Sequence, residues 1–532
     1  MIYKPTTKHY NKITMNDLVS IAKSSVFYRV AVRSFFDSDA DGIGDLRGLI
    51  AKLPYFLYLG TDSVILTDVI ESDHDGVTDF CRVDPAVGTN EDLEELIAAM
   101  HSENLKVYLS FSPIFTSTAH SWFEKSAQSP DLNHFREYYV WKSGKDAKGK
   151  TPPDDRKTRS KESAWTFQKG YWYFSESGKG RPSLNYDNLR VRKEMLEVLR
   201  FWREKGVDGF VFENARLLPK SPATFGAKPL YTNYDDTFSV GAPLYRLLRE
   251  IAERFACDFP VLLDSDGIDP SLFPFILDGE CRVADQILFD QPIDEIENKS
   301  FSFKKFLKKY LALQSDDRIK KIGLVFGNGS HDRLLSRVAR EKDGAEATKM
   351  LCALLLTAPS VPVIYQGEEI GMTDLPKKAV DRSTIPCPNA RAPFQWDNKS
   401  NAGFTLALYP FLPVNENYHS VNCAVQSAKD DSPLCFYRKI IDFRRNSSAL
   451  SEGNFADYSS GDVVAFTRET NEEALLVVVN TLARNLNYAV PAVLANRRAE
   501  CLISSCALVG KTLHESIGLR PYEVRIYRFS RS

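Results

Sequence analysis

Between Val26 and Tyr365 the chain repeats one pattern: a short apolar run, an amphipathic stretch, then another short apolar run. Apolar runs too short for helices, joined by stretches of helical period, mark parallel strands linked by crossover helices. The runs Val26–Val32, Ser63–Leu66, Leu105–Phe111, Gly209–Phe212, Phe259–Leu263, Val283–Leu288, Lys321–Phe326 and Val361–Tyr365 predict eight strands. Eight predict a (β/α)8 TIM barrel, an α/β fold that usually takes about 250 residues. This region, with a last helix near Leu434–Phe443, is much longer, so something is inserted. The surplus lies after the third strand, where Thr116–Tyr186 lacks helical period and contains the charged run Lys142–Ser163. That run predicts a solvated loop within a small inserted subdomain. A helix over Val191–Lys205 leads into the fourth strand. After Leu450 the runs Val463–Arg468, Ala474–Asn480 and Val524–Phe529, separated by turn formers, predict a terminal antiparallel β-domain. The expected division is 1–115 with 187–448 for the barrel, 116–186 for the insert and 449–532 for the β-domain.

Charge narrows the class of partner. The 532 residues carry 68 Lys and Arg against 70 Asp and Glu, interspersed, for a net charge of −2. No basic stripe is present for phosphates, which argues against nucleic acid as a partner. No stretch reaches the roughly 18 apolar residues of a membrane helix, and Met1–Ser25 lacks the features of a signal peptide. The expectation is therefore a cytoplasmic chain without a membrane segment as the sequence is written, and an extracellular one if Met1 is not the natural start. The nine Cys show no metal-binding spacing, and only Cys501 and Cys506 sit close together. Four N-x-S/T tripeptides begin at Asn298, Asn328, Asn398 and Asn446, a number that chance supplies in a chain of this length.

In barrels of this kind chemistry sits at the C-terminal ends of the strands. After the first strand the chain reads Asp37-Ser38-Asp39-Ala40-Asp41-Gly42-Ile43-Gly44-Asp45. Carboxylates at alternate positions, a glycine for a sharp turn and a following carbonyl suit a hard cation with oxygen ligands. The expected ligands are Asp37, Asp39, Asp41, Ile43 through its carbonyl, and Asp45, with calcium preferred over magnesium. The plainer reading is an acidic turn that caps a helix beginning near Leu46.

Longer motifs carry a resemblance. Val26-Phe27-Tyr28 with Arg33-Ser34-Phe35 and the acidic loop, Val83-Asp84-Pro85 with Gly88-Thr89, and Gly206-Val207-Asp208-Gly209-Phe210 together resemble the α-amylase superfamily, glycoside hydrolase family 13. Tyr365-Gln366-Gly367-Glu368-Glu369-Ile370-Gly371-Met372, Gln395-Trp396-Asp397-Asn398, Asn401-Ala402-Gly403-Phe404 and Leu412-Pro413 are similar to animal maltases and to the heavy chains of heteromeric amino-acid transporters. Gly76-Val77-Thr78-Asp79-Phe80 leans toward the heavy chains. The resemblance implies the barrel, the insert after its third strand and a C-terminal antiparallel β-sandwich.

It does not carry the activity across. A retaining glycosidase needs two carboxyl groups about 5–5.5 Å apart, one nucleophile and one acid/base. Where the family has Asp and then Asn-His after the third strand, this chain has Ser110-Phe111-Ser112-Pro113-Ile114-Phe115. Where the family has Gly-Phe-Arg-x-Asp at the fourth, this chain has Gly209-Phe210-Val211-Phe212-Glu213. Glu213 keeps a carboxylate on a longer stem, and Val211 removes its cation. At the fifth strand the acid/base Glu aligns with Ser265, flanked by Asp264 and Asp266. At the seventh, His331-Asp332 matches the family's pair of transition-state stabilisers. Arg391 resembles a residue near the substrate side, although a role pairing with surface acids fits it equally. Catalytic candidates are thus Glu213, His331 and Asp332. Pocket candidates are Ser110, Phe115, Val211, Asp264, Ser265, Asp266 and Arg391.

The expected function is a glycosidase-type barrel that has lost hydrolysis and works as a binding, structural or partner-dependent protein, with a small molecule or sugar in the barrel mouth or a protein partner. Two alternatives stand beside it. One is an altered α-glucosidase using Glu213 as nucleophile with Asp264 or Asp266 as acid; the other is the ectodomain of a transporter heavy chain.

Overall fold

The computed structural model describes residues 25–128, 134–158, 160–186, 188–213, 260–265, 268, 270, 273, 277, 284, 286–290, 302–314, 322–359, 361–376, 389–507 and 512–530. Eight parallel strands form one sheet: β1 (Phe27–Ala31), β2 (Ser63–Thr67), β3 (Lys106–Phe111), β4 (Gly209–Phe212), β5 (Val261–Asp264), β6 (Gln286–Phe289), β7 (Ile322–Leu324) and β8 (Val363–Tyr365). Their order is β7-β6-β5-β4-β3-β2-β1-β8, and a parallel bridge from Val325 to Val363 joins the two edges, closing the barrel. Each predicted strand is present, shifted or trimmed at its ends.

The reason the runs read as continuously apolar is that both strand faces are covered. One face packs against the helices. The other points into the barrel, where Phe27, Ile65, Tyr108, Val211, Leu262, Leu288, Val325 and Val363 form a dry layer. Side chains alternate along a strand, so two residues further on the next inward layer comprises Arg29, Thr67, Ser110, Glu213, Asp264, Asp290, Gly327 and Tyr365. The barrel thus changes from hydrocarbon to charge within one step of the pleat.

Two helices match expectation, Leu189–Glu204 before β4 and Pro433–Arg445 at the end of the barrel. The second has Ser432 as its N-cap, accepting from Cys435 N–H, and Pro433 in its first turn. The stretch after β3 departs in one respect: it contains a helix, Ser121–Gln128, whose roughly two turns are too short to show a helical period, with Phe123 and Ser126 buried and Trp122 and Ala127 packed against the main core. A three-stranded antiparallel sheet follows, with Tyr171–Phe174 between Trp141–Lys142 and Trp165–Gln168. Val140, Ala164, Trp165 and Phe174 make its small core. Within the charged run, Lys145 pairs with Asp155 at 2.9 Å. Asp146 accepts the N–H groups of Lys148, Lys150 and Thr151.

The C-terminal strands form a five-stranded antiparallel sheet and a two-stranded one, Leu486–Ala489 with Ser516–Leu519. Ala474–Val479, within the strand Ala474–Asn480, is apolar throughout because it is covered on both sides. Val477 and Val479 join the barrel's main core, while Leu476 and Val478 pack in the terminal domain's own core with Tyr488, Ile517 and Leu519. Among the described residues no helix is long and apolar enough to cross a membrane. Cys501 and Cys506 are both free thiols.

Candidate functional site

Every carboxyl group on the inward polar layer is engaged by protein. Glu213, just past β4, accepts from Ser110 Oγ of β3 at 2.8 Å. Asp264, the last residue of β5, accepts from Arg29 Nη2 of β1 at 2.9 Å, and the two side chains are buried. Asp290, just past β6, faces His331, whose Nε2 lies 3.0 and 3.1 Å from its two oxygens. Asn328 Nδ2 donates to Asp290 as well, at 2.5 Å. His331 Nδ1 faces the Asp332 carbonyl at 3.1 Å. Both ring nitrogens therefore have acceptors, the arrangement that suits an imidazolium.

Electrostatics follow from burial. The Glu213 carboxyl is pushed up by desolvation and by the Asp264 charge, against the pull of Arg29. Asp264 is also raised by burial, which Arg29 opposes. Desolvation pulls His331 down, but the charge and hydrogen bond of Asp290 outweigh it and the ring sits above its ordinary value. The layer sets Arg29 against Asp264 and His331 against Asp290, with Glu213 beside Asp264 pushed up by burial and by that neighbour. Arg29 comes from β1 and bonds Asp264, and only its charge reaches Glu213.

The other sequence candidates fall as follows. Val211 lies in the dry layer below the polar one. Ser265 is buried, and its Oγ accepts the Asp290 N–H at 3.0 Å. Phe115 belongs to the main core, with Arg181 5.7 Å from its ring centroid. Asp332 acts through its carbonyl, which also accepts from Arg337 at 2.7 Å. Arg391 pairs with Asp68, past β2, in a two-pronged contact at 2.8 and 2.7 Å, and its Nε donates to Gly329 O at 3.0 Å. Asp266 lies outside the described residues.

Arg29, Asp68 and Asp290 were not singled out in the sequence. A signal existed for two of them. Arg29 and Asp290 each stand two places beyond an inward apolar residue, Phe27 and Leu288, where the pleat sends a side chain inside. Asn328, one of the tripeptide asparagines, is buried and bonded to Asp290.

Below β8, Glu369 is buried and accepts from the hydroxyls of Tyr28 and Tyr55, each at 2.6 Å. Burial pushes its neighbour Glu368 up to about 8. Neither lies on the inward layer with Glu213.

The acidic loop brings Asp37, Asp39 and Asp45 together, with one oxygen of each within 4.8 Å of the others. Asp41 is not in this trio; its Oδ1 accepts the Ile43 N–H at 2.7 Å. Asp45 also caps the helix Leu46–Ala51, accepting from Gly48 N at 2.6 Å, so the capping role expected of an acidic turn is filled alongside the clustering.

Comparison with known proteins places this geometry among relatives. The family model described as "Alpha amylase, catalytic domain" matches residues 29–242 and 287–453. The chain is 30% identical to an oligo-1,6-glucosidase of Bacillus cereus, over 95% of this chain and 99% of that one. It is also 30% identical to the human amino acid transporter heavy chain SLC3A1, over 85% of this chain and 69% of the relative. Among solved structures, the trehalulose synthase MutB from Pseudomonas mesoacidophila MX-45 superposes with a TM-score of 0.84 at 29% identity, covering 96% of this chain and 99% of that one.

Proposed function

The chain belongs to the α-amylase family, and from that premise we propose that it is a member that no longer hydrolyses glycosides and serves as a binding, structural or partner-dependent protein. The observation that carries this reading is the closed set of partners on the inward layer. Retaining hydrolysis requires an ionised carboxylate and a carboxylic acid facing each other across the substrate. Here the acid/base position is Ser265, bonded to the backbone of Asp290. Asp264 is held by Arg29, Asp290 by His331 and Asn328, and Glu213 by Ser110. Burial and the Asp264 charge moreover push the Glu213 carboxyl up, the direction that disfavours the ionised, nucleophilic form. The partner class is suggested by the transporter heavy chains among the relatives. A ligand of the mouth, a small molecule or sugar, meets Ser, Phe and Val where the resembling enzymes have Asp, His and Arg.

One observation favours a second reading, an altered α-glucosidase. Glu213 and Asp264 share one layer of the barrel, and the Asp264 charge raises the Glu213 carboxyl. The experiment is hydrolysis of maltose, sucrose and a chromogenic α-glucoside by the purified chain beside Glu213→Gln. The expected result is no turnover by either; turnover abolished by Glu213→Gln would establish the second reading.

The acidic loop is the calcium site in this proposal. Three convergent carboxylates are the donor set of a hard cation, and the loop's Gly42, at φ +95°, leaves no room for a side chain, since a Cβ there would stand 2.6 Å from the Tyr409 carbonyl oxygen. Asp37, Asp39 and Asp45 would hold the ion, which would neutralise their mutual repulsion. A thermal melt with and without chelator, read beside elemental analysis, tests it: an unchanged melt and no metal would remove the site.

A further inference from the structure

The loop after the helical turn Ser400–Gly403 lies across the acidic loop and is tied to it at three points. Asp37 N–H donates to Phe404 O at 3.0 Å, and Phe411 N–H donates to Gly42 O at 2.9 Å. Between these, Thr405 Oγ1 donates to Asp37 Oδ2. Thr405 and Asp37 are 5% and 4% exposed, so this hydroxyl–carboxylate contact is shielded from water. The same Thr405 oxygen accepts the Ala407 N–H at 2.8 Å, and Asn401 Nδ2 donates to Ala407 O at 2.8 Å. The strap so pinned holds Leu406, Leu408 and Tyr409 outward at 93, 79 and 78% exposure. Three large apolar side chains standing free in water are not held there by burial of their own. The anchors at either end, both on the acidic loop, and the Asn401 bond between them hold them.

We propose that Thr405 is a positioning residue that couples cation binding at the acidic loop to the order of the 404–411 strap. The strap is clamped when Asp37, Asp39 and Asp45 hold calcium and loosened when they do not. The inference rests on the calcium site proposed above and goes beyond it. Asp37 is common to both units: its carboxylate belongs to the acidic trio and also receives the strap's hydroxyl. A hydrogen bond from outside the ligand set fixes a ligand's orientation and typically contributes about 10–100-fold to metal affinity. Without the cation, three carboxylates within 4.8 Å of one another repel, and relaxation of Asp37 releases Thr405.

The test uses the full chain, calcium as the probe, and chymotrypsin, which cuts after large apolar and aromatic residues and so reports on Leu406, Leu408 and Tyr409. Calcium binding is measured by equilibrium dialysis, strap cleavage by mass spectrometry, and global integrity by circular dichroism. In the wild type the expected result is bound calcium and strap cleavage at least about tenfold faster in chelator, with the fold retained. Thr405→Val should weaken calcium binding about 10–100-fold and leave the strap open to cleavage at calcium concentrations that protect the wild type; Thr405→Ser, which keeps the hydroxyl, should restore both. Bound calcium with cleavage indifferent to chelator, or Thr405→Val protected like the wild type, would overturn the coupling while leaving the calcium site standing. Cleavage that rises everywhere as the fold melts would overturn it too. Absence of bound calcium would remove site and coupling together.

Discussion

Removing Asp264's charge should be among the most damaging single changes in this barrel, although the change is isosteric. Arg29 and Asp264 meet at 2.9 Å with side-chain exposures of 1 and 5%. At an effective dielectric constant near 20 their attraction is about 6 kcal/mol. Asp264→Asn keeps a hydrogen-bond acceptor worth about 1 kcal/mol but leaves a buried guanidinium without its ionic partner. The cost of breaking such a pair from one side is about 3–5 kcal/mol. In a barrel of this size that corresponds to a melting-temperature fall of about 3–6 °C, readable by differential scanning fluorimetry. The decisive arm is the double variant Arg29→Met/Asp264→Leu. Removing both charges together also removes the desolvation penalty, so the double variant should recover most of the loss and lie within about 2 °C of the wild type. A single variant as stable as the wild type would refute the account. So would a double variant whose loss equals that of its two singles combined, because the residues would then be uncoupled.

The remaining predictions concern neighbouring groups. His331 is raised above its ordinary value, so its contribution is fully present below about pH 6.5 and is lost as pH rises through its folded value; the wild-type melting temperature should fall over that window and His331→Gln should be flatter. Glu213 is likewise raised, so its contribution is greatest below about pH 4.3 and declines as pH climbs through its folded value. Glu213→Gln should flatten that acid-side slope, and an unchanged slope would place the titrating group elsewhere. Glu369→Ala would strand the hydroxyls of Tyr28 and Tyr55 in the core, for a loss of about 3–5 kcal/mol in denaturant unfolding, whereas Tyr55→Phe should lose about 1 kcal/mol. Gly42→Ala should lower calcium affinity and speed strap cleavage, since its φ of +95° and the Tyr409 carbonyl both exclude a Cβ.

Much of the architecture could be read from order and period alone. The eight apolar runs became eight barrel strands because a parallel strand buried on both faces must be apolar along its whole length, and that constraint is local. The insert announced itself by surplus length, and the Ala474–Asn480 run by the same two-sided burial. The helix Ser121–Gln128 did not, because its eight residues span too few turns for a period to emerge. The acidic loop was visible as alternate carboxylates, yet which of them converge was not: Asp37, Asp39 and Asp45 come together while Asp41 bonds its own turn.

At the barrel mouth the division is sharper. Sequence by itself determined which side chains are available: position 110 offers Ser, 211 Val and 265 Ser, none of which carries a charge however the chain folds. Only the tertiary structure decided which groups meet there. Arg29 reaches Asp264 across 235 positions of chain, His331 reaches Asp290 across 41, and Arg391 reaches Asp68 across 323. Residue spacing carries no record of such meetings, because ring closure of the sheet, and not distance along the chain, brings strand ends to a common mouth. The charges balance there for the same reason: a buried ion persists only where the closed barrel sets its counter-ion within reach.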